Sequence, residues 1–312
     1  MYENNFVVVK CGCCFCGKRK SCPPPPAFGI SAYAVNDYSH ISNVKAKNLS
    51  RSIAHKNKFI NKFTDAIGLK YPSVQTKVRH DREDASATSS NFISDNTDKS
   101  EFVFFAGHGQ QQTLAFYDKS LKLSNGVKSF GGNTRWVLFD ACLVLNVNKT
   151  DFISQEYDKK KTQDPYRVLD VFGWFNGVHV ILGNYALGWQ GTIKKHWYSS
   201  ARWRTEDVYS YFSEKFIEDG EPIVDAYFAS IKKVYNNFVN DAALGYSTGI
   251  TGYKVAAWYF YGVKKNGDVL DMSKEKFKST YNAPVSFTET STEFKTRTLM
   301  LRTMSIGKPR YE

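Results

Sequence analysis

The sequence is poor in cysteine outside its first 22 residues: of six cysteines, only Cys142 lies beyond Cys22. A disulfide-stapled fold needs paired cysteines spread along the chain, so this distribution excludes one for the main part of the protein. We therefore expect a reduced, cytoplasmic setting.

Long apolar runs are also lacking. No stretch approaches the roughly 18–20 apolar residues that a membrane helix needs. The start, MYENNFVVVK, has no charged segment before a long apolar run, so we expect no secretory signal. Yet 42% of the residues are hydrophobic and 15% are aromatic, which is enough for a large core.

Charge of one sign is not concentrated in any long segment. The formal net charge is +12, but the 42 Lys and Arg residues are scattered, without a basic helix or a nucleic-acid fingerprint. We expect a basic, solvated surface and no specific nucleic-acid partner. Dense acidic runs that would bind calcium and internal repeats are absent from the sequence.

Composition divides the chain into three parts. Residues 1–26 are a Cys-rich arm that ends in four prolines, which favour a stiff spacer. Residues 27–270 have the patterns of a folded domain. Residues 271–312 alternate polar and apolar residues, which predicts a β-rich extension, with an edge hairpin, packed on or beside that domain.

Continuous apolar runs predict buried strands separated by helical patterns, and this order is typical of an α/β fold with a mostly parallel central sheet. A polar stretch over residues 81–100 predicts a loop. The main predicted strands are 27–35, 101–107, 134–142, 177–185 and 253–263, and the helices are 47–69, 205–220 and 221–244.

Two of these strands end in reactive residues. FVFFAGHG (102–109) and WVLFDAC (136–142) are both apolar runs that end in small residues around His108 or Cys142. If the strands are parallel neighbours, both side chains emerge at the edge of the sheet where ligands bind. An imidazole there can activate the thiol, and the backbone N–H of Gly109 and of Cys142 can bind an oxyanion.

The order AGHG then DAC, with 34 residues from His108 to Cys142 (142 − 108), resembles the caspase-like (clan CD) cysteine peptidases. These include caspases, metacaspases, gingipains, separase and CHAT-type proteases. The resemblance implies a three-layer α/β/α sandwich and a His–Cys dyad that cleaves protein or peptide substrates through an acyl-enzyme, with no cofactor required. LVLN follows Cys142, where metacaspases have His-Ser-Gly and caspases Arg-Gly, so the chain resembles a divergent, prokaryotic-type branch.

Substrate preference is predicted from Asp140, two residues before Cys142 and thus on the same strand face. A carboxylate there suits a Lys or Arg side chain, and in metacaspase-like relatives an acid at the matching position has this role. The alternative is that Asp140 caps a turn or pairs with a core cation. Asn184, Tyr185 and Trp189 follow a strand and are predicted to line the cleft, or simply to pack there.

An insertion over residues 149–167 carries Lys159, Lys160 and Lys161. In caspase-like enzymes the segment after the nucleophile strand is often cut during activation. If the specificity pocket accepts basic residues, these lysines would form a self-cleavage site. If it does not, they would belong to a solvated loop.

The N-terminal cluster contains two overlapping C-x-x-C pairs, Cys11/Cys14 and Cys13/Cys16, together with Cys22. The spacing suits zinc or an iron–sulfur centre. The adjoining basic residues also suit S-acylation and peripheral membrane contact, and intermolecular disulfides are a third role. The sequence leaves all three open.

Two functions follow. The first is a caspase-like cysteine endopeptidase that cleaves after Lys or Arg. The alternative is a catalytically inactive caspase-like domain that serves binding or assembly and is tethered through its Cys-rich arm.

Overall fold

One eight-stranded sheet organises the protein. The computed structural model describes residues 27–41, 48–95, 97–123, 130, 133–146, 178–186, 190, 192–194, 202–243, 252–277 and 294–307. The sheet strands are β1 (Ala27–Ala34), β2 (Gln75–Glu83), β3 (Phe102–Ala106), β7 (Trp136–Asp140), β8 (Val180–Asn184), β11 (Gly252–Lys264), β12 (Val269–Asp271) and β13 (Phe294–Gly307).

Short strands and helices complete the described fold. A three-stranded sheet follows His108 and contains β4 (Gly109–Gln110), β5 (Thr113–Ala115) and β6 (Ser120–Lys122). Strands β9 (Thr192–Lys194) and β10 (Arg202–Arg204) pair with each other. The α-helices are α1 (Ser52–Lys70), α2 (Ser89–Ser94), α3 (Val208–Ser213) and α4 (Ile223–Ala243).

The strand order is β12-β11-β8-β7-β3-β1-β2, with β13 paired to β11. Strands β8, β7, β3, β1 and β2 are parallel to one another. Strand β11 runs antiparallel to both β8 and β13. The mixed α/β fold with a large, mostly parallel sheet is therefore confirmed.

Burial on both faces explains the continuous apolar runs. Every residue of β3 and β7 is buried. Phe102 and Phe104 pack in one core with Phe59 of α1, whereas Val103 and Phe105 pack in a second core. Because alternate residues point to opposite faces, a strand with a core on each side reads as apolar throughout.

The loop predicted over residues 81–100 is wrong in two places. Strand β2 continues to Glu83, and α2 occupies Ser89–Ser94, where the Thr88 side chain accepts a hydrogen bond from the Asn91 backbone N–H. In the tail, β13 pairs with β11 from Phe294 to Gly307, so this part belongs to the main sheet. Within the described ranges, no helix is long and apolar enough to cross a membrane.

Candidate active site

Strand register brings His108 and Cys142 to the same edge of the sheet. Parallel neighbours β3 and β7 pair Ala106 with Asp140, and the Gly107 backbone N–H donates to the Asp140 carbonyl at 3.2 Å. His108 and Cys142 each lie two residues beyond that pair. Both are partly exposed. The prediction that these two strands are parallel neighbours is confirmed.

Gly109 brings the histidine segment against the turn that carries Cys142. A Cβ atom on Gly109 would lie 2.9 Å from the Cys142 carbonyl oxygen, 2.9 Å from Ala141 Cβ and 2.6 Å from Val144 Cγ2. No side chain fits at this distance, so glycine is needed here for close approach. The role of the Gly109 N–H as an oxyanion donor stays a prediction.

The turn after Cys142 is fixed on two sides. Its Leu143 N–H donates to the Ala186 carbonyl at 3.1 Å, beyond β8, and the Gln112 N–H donates to the Val144 carbonyl at 3.2 Å. Leu143 and Gln112 both have left-handed backbones, with φ of 59° and 53°. Such a conformation costs a non-glycine residue about 1–2 kcal/mol, and residues held in it cluster at functional sites.

Tyr38 supports the backbone of His108. Its hydroxyl accepts a hydrogen bond from the His108 backbone N–H at 2.9 Å and donates one to the Ala115 carbonyl at 3.0 Å. The phenol ring centroid lies 4.8 Å from that of the imidazole. A Cβ on Gly107 would lie 2.6 Å from the Tyr38 hydroxyl, which explains the first glycine of Gly-His-Gly.

Burial raises the pKa of Tyr38, and the neighbouring charges of Asp84 and Cys142 add to this rise. The hydroxyl therefore stays protonated and available as a donor. Sequence reasoning missed Tyr38. Its signal is its place just beyond the first strand, at the same edge as the dyad.

Asp140 is buried and bonded inside the protein. Its Oδ2 accepts from His55 Nδ1 at 2.5 Å and from the Tyr209 hydroxyl at 2.8 Å, and Gln190 Nε2 lies at 3.4 Å. Burial alone would raise the pKa of Asp140, but the attraction of His55 and hydrogen bonds with His55, Tyr209 and Asn184 outweigh burial and hold the pKa below its usual range. The role of Asp140 toward a basic substrate stays a prediction.

Polar and aromatic groups surround this pair. His55 Nε2 lies 2.7 Å from the Thr205 hydroxyl oxygen. Burial and then the charge of Asp140 raise the pKa of three tyrosines, so these remain neutral: Tyr209, Tyr227 and Tyr235. We call His55, Asp140, Thr205 and Tyr209 the Asp140 cluster.

Asn184 and Tyr185 lie at the end of β8 as expected, close to the turn of Cys142. Asn184 is buried, and its Oδ1 accepts from the Tyr253 hydroxyl at 2.6 Å. Tyr185 is buried too, and Lys254 Nζ lies 4.7 Å from its ring centroid. Whether either residue lines a substrate cleft stays a prediction.

One protein-family model matches residues 32–277, and its description is a domain of unknown function, DUF6345. The chain belongs to the DUF6345 family. The match includes Tyr38, His55, His108 and Cys142, so the whole site described above lies within the family domain. A search of curated proteins found no match.

Several predicted residues of this DUF6345 chain lie outside the described residues: Trp189, the lysines Lys159, Lys160 and Lys161, and the arm cysteines Cys11, Cys13, Cys14, Cys16 and Cys22. In the described part of the chain, no group of three His, Cys, Asp or Glu side chains is arranged to hold a metal ion. Zinc at the arm therefore stays a prediction.

Proposed function

We propose that this DUF6345 chain is a caspase-like cysteine endopeptidase with a His108–Cys142 dyad. The observation that carries the proposal is the register of the parallel strands β3 and β7. Their last residues, Ala106 and Asp140, are paired, and each reactive residue follows two positions later. The close approach of the backbone at Gly109 to the turn that carries Cys142 adds support. We also propose that the α/β fold is the three-layer caspase-like sandwich.

In the proposed reaction, His108 takes the thiol proton and the Cys142 thiolate attacks the carbonyl carbon of the scissile peptide bond. The C–N bond then breaks, and His108 gives the proton to the leaving amine. Water hydrolyses the resulting thioester and returns the free thiol. The backbone N–H groups of Gly109 and Cys142 would stabilise the oxyanion of each tetrahedral intermediate.

Basic specificity is part of the proposal. Asp140, two residues before the nucleophile, would attract a Lys or Arg side chain, and Lys159, Lys160 and Lys161 would then be the point of self-cleavage. The substrate class is thus a protein or peptide with a basic residue before the scissile bond.

The test is intact-mass labelling by an acyloxymethyl ketone that carries Lys or Arg. We expect one equivalent of label on the wild-type protein and none on His108→Ala or Cys142→Ala, since the probe reacts with an activated thiolate. A wild-type protein that stays unlabelled, even after cleavage within residues 159–161 by an added protease, would favour the non-catalytic binding or assembly domain.

Tyr38→Phe tests how the histidine is held. The change keeps the ring but removes the acceptor of the His108 N–H and the donor to Ala115, so we expect a loss of about 1–3 kcal/mol in unfolding free energy. We also expect Cys142 to be labelled roughly three- to tenfold more slowly, because a shift in the dyad costs reactivity. Chemical denaturation and labelling kinetics measure the two effects.

Tyr33→Phe is the matched control. Tyr33, on β1, is fully buried like Tyr38. Its hydroxyl, however, donates to Asp95 Oδ2 at 2.8 Å and not to the segment of His108. This variant should lose stability and keep the labelling rate of Cys142. Equal labelling rates in the two variants would mean that Tyr38 supports only the fold.

A further inference from the structure

One residue of β8 meets the chain on both sides of Cys142. The register of β7 with β8 places Asp140, two residues before the cysteine, beside Asn184. Three residues after the cysteine, the Leu145 backbone N–H donates to the Asn184 carbonyl at 3.2 Å. Asn184 therefore contacts both ends of the segment that contains the proposed nucleophile.

The side-chain amide of Asn184 is buried and fixed in orientation. It is 2% exposed, and its Oδ1 accepts a hydrogen bond from the Tyr253 hydroxyl at 2.6 Å. The ring of Tyr253 stacks on that of Tyr235, with centroids 3.8 Å apart. Because an ionised carboxylate only accepts, the hydrogen bond between Asn184 and Asp140 is donated by the amide Nδ2. The amide cannot turn without breaking two buried hydrogen bonds.

Two further hydrogen bonds tie the same turn to the residues that follow Asn184. The Leu143 backbone N–H donates to the Ala186 carbonyl at 3.1 Å, and Asn146 Nδ2 donates to the Tyr185 carbonyl at 3.0 Å. These bonds hold the turn after the nucleophile, whereas the bond of the Asn184 side chain holds it before the nucleophile.

We propose that Asn184 is a positioning residue that fixes the Cys142 thiol relative to the imidazole of His108. The inference rests on the proposed peptidase function. Proton transfer between the two side chains depends on their separation and direction, so a small displacement costs much of the reactivity. Without the amide, the segment loses its side-chain link to β8 ahead of Cys142, and the thiol would lie farther from His108 on average.

The test measures how fast iodoacetamide alkylates Cys142 in the full 312-residue chain at about pH 6 and at about pH 9. The reagent reacts with the thiolate and needs no peptide recognition. The ratio of the slower to the faster condition, the rate at the lower pH divided by the rate at the higher pH, reports activation of the thiol and cancels differences in access to it. Mass spectrometry of the Cys142 peptide gives both rates.

Two variants separate positioning from a general loss of stability. Asn184→Leu has a side chain of nearly the same size that cannot form hydrogen bonds. Tyr209→Phe is the matched control, because it removes a hydrogen bond to the same Asp140 carboxylate but leaves the link from Asp140 to Asn184 in place.

We expect this ratio to fall at least about fivefold in Asn184→Leu, because a thiol displaced from its imidazole behaves as an ordinary thiol with a pKa of about 8.5. In Tyr209→Phe the ratio should change less than about twofold. A merely structural role of Asn184 would lower stability but leave the ratio of the folded protein unchanged. Circular dichroism at both pH values establishes that each variant is folded, and Asn184→Ser is the second variant if Asn184→Leu is not.

Equal ratios in the wild type and in a folded Asn184 variant would overturn the role of Asn184. A fall of the same size in Tyr209→Phe would overturn it too, because the ratio would then follow the loss of any partner of Asp140. Both results leave the proposed peptidase intact as long as the wild-type ratio exceeds that of His108→Ala. If the wild type and His108→Ala have the same ratio, the dyad is not functional, and the proposed function and this inference fail together.

Discussion

Cys142 in the His108→Ala variant should react with iodoacetamide at about pH 6 at least tenfold more slowly than in the wild type. An ordinary thiol has a pKa near 8.5 and is almost fully protonated at that pH, whereas a neighbouring imidazolium favours the thiolate. Iodoacetamide needs no peptide recognition, so the rate reports activation of the thiol alone. The Cys142 peptide must be followed by mass spectrometry, because the chain has six cysteines.

His40→Ala is the control for this experiment. His40 follows β1, and its ring stacks on Tyr117 with centroids 3.7 Å apart. It is an exposed histidine, and its loss should leave the reactivity of Cys142 unchanged. If His108→Ala and the wild type react alike from about pH 5 to pH 9, the imidazole does not activate the thiol, and the dyad is not functional.

Asp140→Ala should lower the unfolding free energy by about 3–5 kcal/mol, because it leaves a buried histidine without its charged partner. Since the pKa of folded Asp140 lies below its usual range, its contribution to stability is present above the unfolded value of about 3.9. That contribution is lost as the pH falls through the folded pKa. The difference in unfolding free energy between the wild type and Asp140→Ala should therefore become smaller as the pH falls. Urea denaturation between about pH 7 and pH 3 measures it.

Asp225→Ala provides the comparison. Asp225 is more exposed and pairs with Lys274 at 3.3 Å and with Arg302. Surface ion pairs of this kind contribute about 0–1 kcal/mol, so this variant should lose far less stability. Equal losses of unfolding free energy in Asp140→Ala and Asp225→Ala would contradict the role of Asp140 in stability. A loss in Asp140→Ala that is as large in acid as at neutral pH would contradict it too.

Strands that are buried on both faces could be predicted from the sequence, whereas the half-exposed edge strand β2 could not. β3, β7 and β8 are runs of buried residues, which is the pattern that sequence reasoning detects. β2 reads QTKVRHDRE, and its one aliphatic residue, Val78, is 40% exposed. Its place depends on pairing with β1 and on ion pairs from buried Lys56 to Asp81 and Glu83, which no local pattern reveals.

Some residues of the candidate site could also be predicted from the sequence, and others could not. His108 and Cys142 were predictable because each ends an apolar strand, and parallel neighbours align their ends. Tyr38 and His55 act across 70 and 85 residues of sequence, to His108 and Asp140, and belong to no short motif. His55 did leave a signal: it lies one and two helical turns before Phe59 and Phe63, and a polar residue on a buried helix face must have a partner.

Strand β13 has a consequence for self-association. It pairs with β11 from Gly252 to Lys264, so it covers a long row of backbone donors and acceptors that would otherwise invite another chain to add a strand. Among the described residues, β13 then forms this edge of the sheet, with exposed Lys295 on it. A charged lysine on an edge strand disfavours pairing with a strand of another chain, so we expect this tail to oppose self-association through the sheet.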